Sequence, residues 1–334
     1  MWIFQASLAL LAVLSFLTYR IMIDVKPRTS RTVTDRSRQS EIEALQVRLM
    51  EHVRALSVTI GERHLGRPKA LQAAADYVRE TWTRSGLRVS EERFDVEGQA
   101  VANVIVEQSG SVRPEEIIVV GAHYDSAPGT PGANDNGTGV ALLLEMARAL
   151  KGAPVARTIR YVAFVNEEPP YFFSESMGSR VHARGARSRG DNVVAMISLE
   201  TVGYYSAAAG TQRYPFPLGF FYPRTGNFLG VVGNLRSRAL VVDVLRRFMA
   251  GTDFPVEGAA AFQWIPGISW SDHWSFWTEG YPAIMLTDTA PFRYPHYHGA
   301  QDLPEQLAAK DFARASHGII AAVRGLATES KEAP

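Results

Sequence analysis

The chain has 334 residues, 46% apolar and 21% charged, with a net charge of +1, eight histidines and no cysteine. This is an ordinary globular composition, sufficient for one large domain or two small ones, and it offers no basic stripe to displace counterions from phosphates, which argues against nucleic acid as a partner. Without cysteine there is no disulfide framework, thiolate metal site or cysteine nucleophile, so any metal must be held by His, Asp and Glu.

In chain order, Trp2 to Tyr19 carries no charge, and Ile21 to Ile23 extend the apolar run beyond Arg20 to nearly a bilayer's thickness. Residues 1–23 are expected to form an uncleaved single-pass membrane anchor. A cleaved signal peptide would open on a basic region, whereas Met1 leads straight into Trp2-Ile3-Phe4. Arg20, Lys26, Arg28, Arg31, Arg36 and Arg38 follow the span, which on the positive-inside rule favours a cytoplasmic side; exported relatives argue the reverse, and the side stays open. Residues 24–40, rich in Arg, Ser and Thr, read as a polar tether. A catalytic domain is expected over 41–328, followed by a short tail, 329–334.

From Glu41 onward, helical periodicity alternates with short β-branched runs. Helices are expected over Glu41 to Ile60, Pro68 to Ser85, Gly137 to Leu150, Ser179 to Arg187, Leu235 to Ala250 and Asp311 to Leu326. Strands are expected over Val101 to Glu107, Glu116 to Gly121, Ile159 to Val165, Val193 to Leu199, Phe228 to Val232 and Ala283 to Leu286. The fold class implied is α/β, a three-layer α/β/α sandwich around a mixed, mostly parallel sheet. The aromatic and proline-rich stretch from Tyr204 to Asn227 reads as an irregular insertion placed to line a pocket.

Chemistry gathers where strands end, the place where ligands bind in an open α/β sheet. One strand runs into His123-Tyr124-Asp125, another into Asn166-Glu167-Glu168, and a third delivers Glu200. A glycine-rich turn, Gly132 to Gly139, puts Asp135 at the start of a helix, and Tyr297-His298 is followed by Asp302. Each piece alone is ordinary: a hydrogen-bonded pair, surface charge or a turn. Together, two His and several carboxylates supply the ligands that zinc takes when cysteine is absent. Adjacent Glu167 and Glu168 would point in opposite senses, so one ligates while the other stays free.

These five motifs, in this order, resemble the di-zinc aminopeptidase, glutamate carboxypeptidase and glutaminyl cyclase family, metallopeptidase family 28, over roughly Glu41 to the C-terminus. The resemblance implies two Zn2+ per chain, with His123 and Glu200 on one, Glu168 and His298 on the other and Asp135 bridging them. Glu167 is then the catalytic general acid/base, the peptide after Asp135 is cis, and the activity is that of an aminopeptidase on peptide substrates. Asp125 and Asp302 are expected to accept the second ring N–H of His123 and of His298. Ser271-Asp272-His273 is similar to a family motif beside the substrate, making Asp272 and His273 candidate substrate contacts. Position 200 is Glu where well-known aminopeptidases have Asp, and the loop after Glu168 is longer than the family spacing. Its aromatic residues suggest a preference for apolar N-terminal residues. His296 competes with His298 as a ligand, while His52, His64, His182 and His317 read as histidines without a carboxylate partner. Two rival readings are a single-zinc glutaminyl cyclase and a non-catalytic binding ectodomain.

Overall fold

The computed structural model describes residues 22–27, 38–216 and 218–328. The expected span Trp2 to Tyr19 and the tail 329–334 lie outside the described residues, and among those described no helix is long and apolar enough to cross a membrane.

Helix α1 (Gln39–Arg54) buries Ile42, Leu45, Leu49 and Val53 at helical spacing. Helix α2 (Pro68–Arg84) starts with proline in its first turn, where the missing N–H costs nothing. An antiparallel pair follows, β1 (Val89–Val96) and β2 (Gln99–Gln108). Next come β3 (Arg113–His123), α3 (Gly139–Leu150), β4 (Arg157–Phe164), α4 (Gly178–Arg189) and β5 (Asn192–Glu200). The chain closes with β6 (Leu229–Asn234), α5 (Arg238–Gly251), β7 (Val256–Ala261), α6 (His273–Thr278), β8 (Ala283–Thr287), the short α7 (Ala290–Arg293) and α8 (Ala309–Thr328).

The eight strands form one sheet in the order β1-β2-β4-β3-β5-β8-β6-β7. Its centre, β4-β3-β5-β8, is parallel, and β2 and β6 run antiparallel to β4 and β8. The second half of β3, Ile117 to His123, is buried throughout, as a parallel strand covered on both faces must be. One face packs against α1, α2, α3, α5 and α8 in the larger apolar core, and the other against α4 and α6 in a smaller one. This is the expected three-layer α/β architecture.

Strands β1 and β7 and helix α6 were not expected from the sequence. Strand β1 is an amphipathic edge strand carrying Glu91, Glu92 and Arg93, and β7 is Val-Glu-Gly-Ala-Ala-Ala, with none of the β-branched enrichment that marks a strand. Of the expected tether 24–40, residues 28–37 lie outside the described residues, and both described ends join the folded body. Met22 and Val25 are buried, Lys26 pairs with Glu257 at 3.1 Å, and α1 already begins at Gln39.

Candidate metal centre

Because β3, β4 and β5 run in parallel, their carboxyl ends deliver side chains to one rim of the sheet. His123 ends β3 opposite Phe164 of β4, and Glu200 ends β5 opposite Thr287 of β8. Beyond β4 the chain turns through Asn166, held at a φ of 58°, and presents Glu167 and Glu168. The turn before α3 brings Asp135, and His298, at a φ of 54°, arrives from the C-terminal third of the chain. Left-handed backbone at two non-glycine residues marks conformations that the surrounding structure must impose.

The groups expected to ligate do meet. His123 Nε2 lies 3.3 Å from Glu200, 3.4 Å from Asp135 Oδ1 and 3.8 Å from Glu167. His298 Nε2 lies 3.1 Å from both Asp135 Oδ2 and Glu168. Asp135 therefore faces one histidine with each oxygen. Of the adjacent pair, Glu168 joins His298, and Glu167 stands farther off beside His123. His296, the competing histidine, does not enter the cluster.

Charge-assisted hydrogen bonds run about 2.7–2.9 Å. Donor atoms on one tetrahedral ion with bonds of about 2.0–2.1 Å would instead be about 3.3 Å apart. The His123 separations of 3.4 and 3.3 Å from Asp135 and Glu200 match the second geometry, and the 3.1 Å separations at His298 fall between the two. Both ring nitrogens of His123 and one oxygen of Glu168 are buried without a hydrogen-bond partner among the described residues. Donor atoms of His123, Asp135 and Glu168 all lie within 4.8 Å of one another, as do those of His123, Glu167 and Glu200. Four carboxylates against two imidazoles is a donor set that fits divalent cations.

Electrostatics agree. Burial raises Glu167 well above the usual carboxylate range, His123 lowering it only in part, and burial pushes Glu168 to about 7, with the charge of Asp135 adding to it. Burial also raises Glu200. At His298 burial works the other way, but Asp135 and Glu168 outweigh it and lift the imidazole to about 10. His123 and His298 in turn hold Asp135 low against the effect of its burial.

The acids expected to orient the histidines make further contacts. Asp125 Oδ1 is 3.5 Å from His123 Nδ1, at the limit of a hydrogen bond and close enough to raise the imidazole, and its two oxygens also accept the backbone N–H groups of Glu167 at 3.2 Å and Glu168 at 3.1 Å. Asp302 accepts from Asn134 N at 2.8 Å, Asp135 N at 3.1 Å and Tyr294 Oη at 2.9 Å, and not from His298. Each acid thus clamps the backbone of another motif's ligand. A two-residue spacing brings an acid near a histidine but does not decide which donor it reaches.

Asp272 and His273 lie inside the protein. Both are fully buried; His273 Nε2 lies 2.8 Å from Ile268 O, its ring packs edge-on against Trp277, and burial lowers it to about 4. Asp272 is close enough to Glu167 to help raise its carboxyl. Ser271 is the member of that motif that touches the site, donating to Glu200 at 2.7 Å. The four histidines read as lacking carboxylate partners have them: His52 near Glu145, His64 near Glu62, His182 near Glu92 and, more distantly, His317 near Glu41.

Sequence reasoning missed the groups that hold the turn. The peptide between Asp135 and Asn136 is cis, as the resemblance implied. Asn136 donates to Leu199 O at 2.8 Å and accepts from Gly139 N and Thr201 N, tying the turn to the end of β5. Position 139 must be glycine, because a Cβ there would sit 2.5 Å from Leu199 O. Beneath them lies Arg63, wholly buried, donating to Tyr124 O and Pro131 O at 2.6 Å each and to Gly132 O at 2.9 Å. Its partners are carbonyls, which leave no trace in a sequence.

Next to Glu200 opens an apolar pocket whose walls include Tyr214, Leu218, Phe228, Ile268, Trp270, Met285 and Phe292. The 204–227 insertion lines it, as expected. The loop after Glu168 does not: Phe173 stacks on Phe172 and packs against Trp274 instead.

The profile described as "Peptidase family M28" matches residues 103–323. The uncharacterized protein YfbL of Escherichia coli (strain K12) is 37% identical over 281 residues, 81% of this chain and 85% of that protein. Aminopeptidase YwaD of Bacillus subtilis (strain 168) is 46% identical over 71 residues, 21% of this chain and 16% of YwaD's length. Among solved structures, BSAP, a zinc aminopeptidase from Bacillus subtilis, superposes with a TM-score of 0.67 at 16% identity, covering 86% of this chain and 96% of that one. At that identity the likeness is one of fold.

Proposed function

The chain belongs to peptidase family M28, and from that premise we propose that it is a two-zinc aminopeptidase held at a membrane by Trp2 to Tyr19. His123 and Glu200 hold one zinc, Glu168 and His298 the other, and Asp135 bridges them. The observation carrying this reading is the position of Asp135, one oxygen 3.4 Å from His123 and the other 3.1 Å from His298. The zinc and aminopeptidase character of BSAP and the aminopeptidase name of YwaD support the choice within the family.

Bound zinc would acidify a shared water and polarise the scissile carbonyl. The residues of this chain do the rest. Glu167, beside the cluster but not needed to complete either donor set, takes the water's proton and returns it to the leaving amine. Asp125 fixes where Glu167 can stand, because it holds the Glu167 and Glu168 amides together. The apolar pocket beside Glu200 receives the side chain of the N-terminal residue, so Leu and Phe are preferred to Lys or Glu.

The full chain, solubilised from membranes, should carry about two zinc ions and cleave Leu- and Phe-amides. Burying such a side chain is worth ~1.5–3 kcal/mol, which is roughly 10–150-fold in kcat/KM over a side chain left outside. Glu167→Gln should retain zinc and lose roughly 10²–10⁴-fold in turnover. One zinc per chain with cyclisation of glutaminyl peptides, or a preference for Lys-amide, would overturn the assignment.

A further inference from the structure

The surface flanking the apolar pocket carries an unusual aromatic rim. Phe216 and Phe220, from the 204–227 insertion that lines the pocket, are 86% and 78% exposed and pack edge-on against each other beside Arg213 and Arg224. In the segment that leads into Ile268 and Trp270 of the pocket wall, Trp264 is 76% exposed and stacks on Phe262, which is 42% exposed, and Trp270 is 40% exposed. Soluble surfaces rarely gather large aromatics in this way without a partner.

Charge around the rim has one sign. Between Thr201 and Val242, and again between Gly258 and Ser271, the sequence has no Asp or Glu, while Arg213, Arg224 and Arg236 are exposed. Of the two acids lining the pocket, Glu200 faces the metal centre and Glu257 is paired with Lys26. Aromatic side chains mixed with arginine and free of carboxylates suit the headgroup region of a bilayer, where the rings sit at the interface and the cations meet anionic lipid.

Chain connectivity points the same way. Met22 belongs to the buried apolar cluster that contains Leu218, Ile265 and Ile268, the residues beneath the rim. It lies three positions beyond Tyr19, where the uncharged N-terminal run ends. Fully extended, three residues span about 10 Å. A span ending at Tyr19 therefore leaves this face within about one headgroup layer of the membrane.

We propose that the aromatic rim, Phe216, Phe220, Phe262, Trp264 and Trp270 with Arg213, Arg224 and Arg236, docks on an anionic bilayer surface, so that the pocket opens along the membrane and takes peptides presented there. The proposal rests on the reading of Trp2 to Tyr19 as an anchor.

The absence of cysteine makes the test clean. Phe220→Cys, Trp264→Cys and, as a control outside the rim, Val47→Cys on α1 are each labelled with an environment-sensitive dye. The full-length variants are placed one copy per nanodisc of phosphatidylglycerol and phosphatidylcholine with brominated acyl chains. Zinc content and unfolding temperature close to those of the unlabelled chain verify the fold. The expected result is that the dyes at 220 and 264 lose most of their emission to the bromolipid while the dye at 47 does not. The loss should shrink when phosphatidylglycerol is omitted or when Arg213, Arg224 and Arg236 are changed to Gln. Three results overturn the proposal: iodide in the water quenching the rim dyes freely, neither quencher reaching them because protein covers them, or equal loss in zwitterionic discs. Release of the chain by alkaline carbonate would instead remove the anchor, and a wrong metal count the peptidase reading, so the failures are distinguishable.

Discussion

Changing Asp302 to Ala tests whether the turn bearing Asp135 is held by a backbone clamp. Three donors, Asn134 N–H, Asp135 N–H and the Tyr294 hydroxyl, converge on this one carboxylate, which is itself wholly buried. Stranding a buried donor costs about 1–3 kcal/mol. With some relaxation, the loss of all three comes to roughly 3–6 kcal/mol, or a fall in Tm of about 6–12 °C at ~2 °C per kcal/mol. Metal affinity should fall about 10–100-fold as well, as is typical when a group supporting a ligand is removed. Asp302→Asn keeps one acceptor oxygen and turns a donor on the second amide, so its damage should be smaller. Thermal unfolding with and without zinc, together with competition against a chelator, reads both quantities. An unchanged Tm and unchanged zinc affinity in Asp302→Ala, or greater damage from Asn than from Ala, would refute the clamp.

Other substitutions probe separate links. Arg63→Met leaves the carbonyls of Tyr124, Pro131 and Gly132 without their buried donor and should cost about 3 kcal/mol or more, visible as a lower denaturant midpoint. Gly139→Ala pushes a methyl group against Leu199 O and should destabilise by about 1–3 kcal/mol while lowering turnover through a displaced Glu200. Glu145 supplies a pH test remote from the metal centre. Burial would raise its carboxyl, but His52, Arg148 and Arg48 outweigh that and hold it near 2. Its contribution is thus full above the ordinary value of 4.5 and disappears as pH falls towards 2. A displacement of that size is worth at most ~3 kcal/mol, and roughly half survives screening because Arg48 and Arg148 are 34% and 42% exposed. Glu145→Gln should flatten the acid limb of a Tm-against-pH curve, and an unaltered limb would exclude the effect.

The cluster was legible in part from chemistry, since without cysteine only His, Asp and Glu are left to meet a cation and His123, Glu168 and Glu200 stand at or just past strand ends, but Asp135 and His298, in turns, joined them only through the resemblance. The central strands were legible for a related reason, since a parallel strand buried on both faces, such as Ile117 to His123, is written as an apolar run. Strand β1 was not, because its Glu91 and Glu92 are half-buried and satisfied by Arg79, Asn103 and His182 from other elements, which leaves no apolar period to read. The backbone partners of Asp125 and Asp302 were not foreseen for a geometric reason. Closeness along the chain places a carboxylate near a histidine, but the orientation that selects backbone N–H groups depends on strands distant in sequence. The burial of His273 against Trp277 was not legible either, since it is set by how α6 packs and not by the motif around it.

The clamps made by Asp125 and Asp302, with Asn136 tying the turn to β5, have a consequence for assembly. The backbones at Asp135, at Glu168 and beside Glu200 are fixed by hydrogen bonds from another motif, so most of the receptacle is in place once the sheet and its connecting turns have closed. Metal would then be captured by a finished protein and would not template its folding, the reverse of small zinc domains that are unstructured without their ion. Stripping and reloading the chain with different divalent ions should therefore be reversible, leaving the cell's metal supply to decide which cation it carries.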